Sequence, residues 1–164
     1  MHSKLAAVLV GLGTSVFVFV LYLMTLAPTV LYYDRPILLD SVMLQTQAYV
    51  LGITGPTGEP AWLILTHLFR YLPFGDPGYR MNFSSAVYAA LAVLAVFVAG
   101  MLLSRKIVAA AVGALAFGLG TTFWSQAVIT EIYTLNALLI PLPIISLLLW
   151  RDRRRDRYCC SRLS

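Results

Sequence analysis

The sequence predicts an all-α, polytopic transmembrane protein of about four spans, with a short outer helix and an interfacial helix between spans one and two. Three observations lead there. Of the 164 residues, 60% are hydrophobic and only 12% charged, more apolar surface than a soluble domain of this size can bury. Four long runs carry no charge at all. The basic residues that punctuate them then fall on one side of a membrane when the runs are threaded back and forth.

The uncharged runs are Leu5 to Tyr33, Phe83 to Ser104, Ile107 to Thr130 and Ile132 to Trp150. Each reaches the roughly 20 residues that a helix needs to cross about 30 Å of hydrocarbon. A backbone facing lipid must satisfy its own hydrogen bonds, and the runs lack the alternation of barrel strands, so helix is required. The first run also imitates a signal peptide, with Lys4 before it and Thr25 and Ala27 near its end. Its length exceeds an h-region of about 7–15 residues, and Pro28 would directly follow the cut, which favours an uncleaved span.

With the N-terminus in the cytoplasm, Lys4, Arg105, Lys106 and the six arginines of the tail lie inside against Asp152 and Asp156. The outer side then holds Arg35, Arg70 and Arg80 against Asp34, Asp40, Glu59, Asp76 and Glu131. The split is +7 inside and −2 outside, which matches the whole-chain +5 and obeys the positive-inside rule. A multi-pass protein of the cell membrane with both termini cytoplasmic follows. The arginine-rich run from Arg151 to Arg157 directly follows an apolar span, so it reads as a stop-transfer and anionic-lipid anchor rather than a nucleic-acid patch. Cys159 and Cys160 lack the second pair a metal site needs and read as reduced thiols, with juxtamembrane palmitoylation as the alternative.

Between spans two and three only Ser104-Arg105-Lys106 intervenes, which forces an antiparallel hairpin. Small residues at helical spacing, Ser85, Ala89 and Ala92 facing Ala109 and Gly113, predict close backbone approach. In the fourth span Pro141 and Pro143 remove helix hydrogen bonds and predict a kink.

The outer segment from Asp34 to Arg80 is not explained by lipid packing. Pro36 breaks the chain, and Leu39 to Leu51 predicts a short helix with Asp40 or Ser41 near its N-cap and Gly52 near its end. A rigid turn follows at Gly55-Pro56-Thr57-Gly58-Glu59-Pro60. Ala61 to Leu72 then places Trp62, Leu65, Leu68, Phe69 and Leu72 mostly on one face, with Thr66, His67 and Arg70 elsewhere, as suits a helix in the membrane interface. Pro73 to Tyr79 turns the chain back into the second span.

Two carboxylates at the outer boundary draw attention: Asp40, at the start of the outer helix, and Glu131, at the start of the fourth span. A carboxylate at mid-membrane costs about 2.5–3.5 kcal/mol on insertion scales, which placement at the water boundary avoids. An N-cap and a boundary charge explain both equally well on position alone.

Four stretches carry a family resemblance: Asp40-Ser41; Ala48 to Ile53 running into Pro56-Thr57-Gly58-Glu59-Pro60; Leu72 to Asn82; and Phe123 to Ala137. In order and spacing the chain resembles the protein O-mannosyltransferase-like multispan proteins among membrane glycosyltransferases of the C-type fold, N-terminal part only. The resemblance implies a transferase that takes a sugar from a polyprenyl-phosphate lipid at the outer face and passes it to an acceptor. It makes Asp40 the catalytic base or positioner of the acceptor nucleophile, and Glu131 its acidic partner. Arg80, Arg70 and His67 are then candidates for the lipid phosphate, although each also suits snorkelling to headgroups. Gln126 and Tyr133, flanking Glu131, join them as substrate-binding candidates.

Relatives commonly carry Gly-Glu where this chain has Val42-Met43, and His-Pro where it has Gly55-Pro56. Neither a metal site nor a cofactor is legible, and a divalent metal is left open. Residues 1–157 form the expected module, while 158–164 resemble nothing and read as the truncated end of a longer protein. Membrane lipid and the lipid-linked sugar are the expected partners, with no nucleic acid. A non-catalytic subunit or remnant pairing with another membrane chain is the first rival reading. A small transporter is the second, and it needs mid-membrane polar groups, of which the spans offer few beyond Thr14, Ser15 and Asn136.

Overall fold

A computed structural model describes the backbone of residues 2–30, 36–53 and 59–161, and the side chains of 4–30, 40–53 and 59–154. All regular structure among them is helical. The turn at 55–58, Asp34, Arg35 and the side chains of both cysteines lie outside the described residues.

The first run forms α1, His2–Thr25, and then leaves the helix through an irregular stretch at 26–30. The second forms α4, Pro77–Ser104, whose start is set by Pro77 at the first helical position and by Asp76, which accepts the Tyr79 N–H at 2.7 Å. Both are long and apolar enough to cross a membrane, as is Tyr133–Arg154. That last stretch comprises α7, Tyr133–Leu139, and the first part of α8, Pro141–Ser161, separated at the expected proline.

The third run departs from expectation. It divides into α5, Ile107–Gly118, and α6, Thr121–Ala127, bent by 65° at Leu119-Gly120. Twelve residues of α5 extend only about 18 Å, so no straight span exists here. The break is stabilised from outside: the Tyr22 hydroxyl donates to the Gly118 carbonyl at 2.6 Å. A Cβ on Gly118 would lie 2.7 Å from Val93 Cγ2, so α5 packs there as only glycine allows.

The hairpin of α4 and α5 forms as expected, but through other residues. Ala110, Ala114 and Gly118 face α4, whereas Ala109 and Gly113 are exposed. The backbones also approach closely at Gly100, whose added Cβ would meet the Ala110 backbone at 3.2 Å. Arg105 takes a left-handed conformation (φ 56°) to close the turn, and its guanidinium pairs with Asp152 of α8. The α4–α5 turn and the start of the arginine tail therefore lie at the same end of the molecule.

The helix α2 spans Pro36–Val50, so it begins earlier than Leu39 and Asp40 sits inside it rather than at its cap. Leu51 leaves it with φ 53° while the Gly52 N–H returns to the Gln47 carbonyl at 2.9 Å, a Schellman closure with leucine in the left-handed position. Next, α3, Pro60–His67, runs into a single 3-10 turn at Leu68–Tyr71. Leu65 and Leu68 lie on the outward face, as an interfacial helix requires, whereas Trp62 turns inward. Trp62, Thr66 and His67 are buried, with Thr66 against the Tyr88 hydroxyl at 3.5 Å, and Ile64, Leu65 and Leu68 point outward. In a membrane the outward face is the apolar one, so burial inside the protein falls to the side chains that need hydrogen-bond partners.

Candidate functional site

One face of α2 presents Ser41, Leu44, Gln45 and Ala48, all buried against α4 and the segment before α7. The one-turn and two-turn spacing of Ser41, Gln45 and Ala48 follows from the helix itself. Asp40, one residue to the side, is exposed.

Glu131 lies opposite, only 7% exposed. It is fixed by three neighbours. The Ser41 hydroxyl donates to its Oε1 at 2.9 Å. Its backbone N–H donates to Ser85 Oγ of α4 at 3.1 Å, and Thr134 Oγ1 of α7 donates to its carbonyl at 3.4 Å. Burial pushes the Glu131 carboxyl above the usual carboxylate range; the Ser41 hydrogen bond opposes that push, and the charge of nearby Asp40 adds to it. Among the described residues its carboxylate has no ion pair, since the bridges found belong to Asp152.

A second buried group holds this arrangement in register. Asn82, fully buried near the start of α4, accepts from Gln45 Nε2 at 2.7 Å and from Thr130 Oγ1 at 2.6 Å. Its own amide donates to the Ala27 and Thr29 carbonyls at 3.0 and 3.3 Å. The Ala27 N–H in turn donates to the Val128 carbonyl at 3.0 Å. One side chain thus joins α2, the stretch after α1, and the stretch that delivers Glu131. Gln45 Oε1 and Trp62 Nε1 are buried and meet no hydrogen-bond partner among the described residues.

The two predicted carboxylates, ninety-one positions apart, are thereby brought together. The other predicted residues have separate partners. His67 Nδ1 donates to the Ala48 carbonyl at 2.8 Å. Arg70 donates to the Tyr49 carbonyl at 3.3 Å, with its guanidinium 4.7 Å from the Tyr49 ring centre. Arg80 clamps the preceding turn, donating to the carbonyls of Arg70, Phe74 and Gly75 at 2.9–3.2 Å. Gln126 has a buried Oε1 that meets no partner among the described residues, and Tyr133 is exposed. Among the described residues no group of three His, Cys, Asp or Glu side chains could hold a metal ion.

Sequence reasoning missed Ser41, Gln45, Asn82, Ser85 and Thr130 as builders of the site. The available sign was polar residues within or beside apolar runs, where a side chain without a partner is costly. Two apolar clefts of about 320 and 240 Å³ lie elsewhere, between α1 and α4, and include neither carboxylate.

Comparison with known proteins agrees with the resemblance. Residues 40–162 match the family model described as the protein O-mannosyl-transferase TMEM260 N-terminal domain. That region contains Asp40, Glu131 and all the other predicted site residues. Over 104 residues the chain is 30% identical to the protein O-mannosyl-transferase TMEM260 of Mus musculus, covering 63% of this chain and 15% of that protein. The matched stretch therefore spans about 15% of that relative's length. No solved structure matches.

Proposed function

We propose that this chain, which belongs to the protein O-mannosyl-transferase TMEM260 N-terminal domain family, forms the acceptor-activating module of a membrane glycosyltransferase. In this reading residues 1–157 are the module, and the donor is a sugar, mannose by analogy with the relative's name, carried on a polyprenyl phosphate. The end bearing Asp40 and Glu131 faces away from the cytoplasm, and the arginine-rich end faces it, as the positive-inside rule favours.

The single observation behind the reading is the Ser41–Glu131 hydrogen bond, which sets exposed Asp40 beside a buried second carboxyl. An exposed carboxylate is suited to general-base work. Asp40 takes the proton of an acceptor hydroxyl as its oxygen bonds to the anomeric carbon; the bond from that carbon to the phosphate oxygen breaks, and the polyprenyl phosphate leaves with the electron pair. Glu131 orients the acceptor or the sugar. Arg70, Arg80, His67, Gln126 and Tyr133 are retained as substrate-binding candidates, with the lipid phosphate as the group for the first three.

The test reconstitutes the full chain in vesicles with polyprenyl-phosphate mannose and a serine- and threonine-containing peptide. Asp40→Asn is expected to lower transfer by at least about 100-fold while folding survives. Equal transfer by Asp40→Asn and the unchanged chain would overturn the assignment and favour a non-catalytic subunit.

A further inference from the structure

The Glu131 carboxyl has two oxygens in different surroundings. Oε1 accepts the Ser41 hydroxyl, whereas no described donor meets Oε2. The group is buried and, among the described residues, has no cation paired with it, and a second carboxylate stands near it. On α2 the charged neighbour is Asp40. On α4 it is Arg80, whose guanidinium turns to the carbonyls of Arg70, Phe74 and Gly75. On α3, His67 is bound to the Ala48 carbonyl, α6 carries no titratable group, and the α7 candidate, Tyr133, is exposed.

From this geometry we infer that Ser41 is a positioning residue: its hydroxyl reserves Oε1 as an acceptor, so that the proton of a neutral Glu131 resides on Oε2 and points to a ligand. Two neighbouring carboxyls in unlike environments then divide the work. Buried Glu131 is the hydrogen-bond donor and exposed Asp40 an acceptor, the pattern expected when one acid is withdrawn from water and its neighbour is not. Ser85 supports this by holding the Glu131 backbone, which leaves the side-chain orientation to Ser41. The class of ligand oxygen that Oε2 meets, a sugar or acceptor hydroxyl, rests on the transferase reading; the protonation pattern does not.

Dicyclohexylcarbodiimide tests it on the full chain in lipid vesicles, because the reagent adds to protonated carboxyls in apolar surroundings. Peptide mass spectrometry locates the N-acylurea across a pH series. Glu131 is expected to stay modifiable to a pH above the ordinary carboxyl value of 4.5, while exposed Asp40 lies outside the apolar surroundings the reagent needs. Ser41→Ala removes a bond that favours the ionised form, so the pH midpoint for Glu131 shifts upward; Ser41→Thr restores it, and Asp40→Asn shifts it downward. A Glu131 midpoint at or below 4.5, or a Ser41→Ala midpoint equal to that of the unchanged chain, overturns the inference. Should Ser41→Ala not fold, an unaltered Ser41→Thr midpoint together with the downward Asp40→Asn shift upholds it, and the absence of that shift overturns it. No sugar donor is needed, so this result and the transfer assay fail independently.

Discussion

The Tyr22 hydroxyl and the Gly118 carbonyl, 2.6 Å apart, tie the first span to the point where the third breaks. Gly118 is the last residue of α5, and its carbonyl has lost the helical partner that a straight span would supply. Tyr22→Phe leaves it unpaired in an apolar interior. The expected loss is about 1 kcal/mol in denaturant unfolding in detergent, the usual size for such bonds in membrane proteins. Gly118→Leu is expected to cost more, about 1–3 kcal/mol, because Val93 and Val18 occupy the space.

Asn82 accepts two hydrogen bonds and donates two more from a fully buried position. Asn82→Leu strands the Gln45 amide, the Thr130 hydroxyl and two carbonyls at once. Stability is expected to fall by about 3 kcal/mol in the same unfolding assay, since each stranded group costs about 1–3 kcal/mol before relaxation. Thr46→Ala serves as the contrast. Its hydroxyl bonds only to the Val42 carbonyl one turn back, so the change stays within about 0.5 kcal/mol.

Leu51 occupies a left-handed position at the end of α2, where a side chain is strained. Leu51→Gly relieves that strain within an intact Schellman closure. A gain of up to about 1 kcal/mol is expected, read as a raised unfolding midpoint.

Glu131 binds its proton more tightly in the folded chain than in the unfolded one, because burial and Asp40 raise it above its ordinary value of 4.5. Stability is therefore fully present below that value, falls as pH rises through the window between the ordinary and raised values, and levels off above it. Glu131→Gln is expected to flatten this falling limb in thermal unfolding measured across a pH series. A limb of unchanged slope in the variant would assign the pH dependence to another group.

Much of this was legible in the sequence, for identifiable reasons. Charge-free runs gave α1 and α4 because helix is the only way to satisfy their backbone in lipid, and Pro141 gave the division of α7 from α8. The bend at Leu119-Gly120 escaped notice because both residues are uncharged and merge into an apolar run, and only the distant Tyr22 hydroxyl reveals the break. The outward face of α3 at Leu65 and Leu68 was legible because apolar periodicity identifies the side that meets lipid, whereas the inward turn of Trp62 depends on partners far along the chain. For the candidate site, both carboxylates were visible as costly charges at the boundary. Ser41, Ser85 and Asn82 were not, since their worth depends on pairings across 90, 46 and 37–55 residues.

Sidedness is the most direct measurement. Asp40→Cys and Arg153→Cys are introduced singly into a chain whose Cys159 and Cys160 are serine, and intact cells are treated with a membrane-impermeant maleimide. The account predicts labelling at position 40 without permeabilisation and at position 153 only after it. Labelling of both positions from one side would contradict the placement of the Asp40–Glu131 pair opposite the arginine tail.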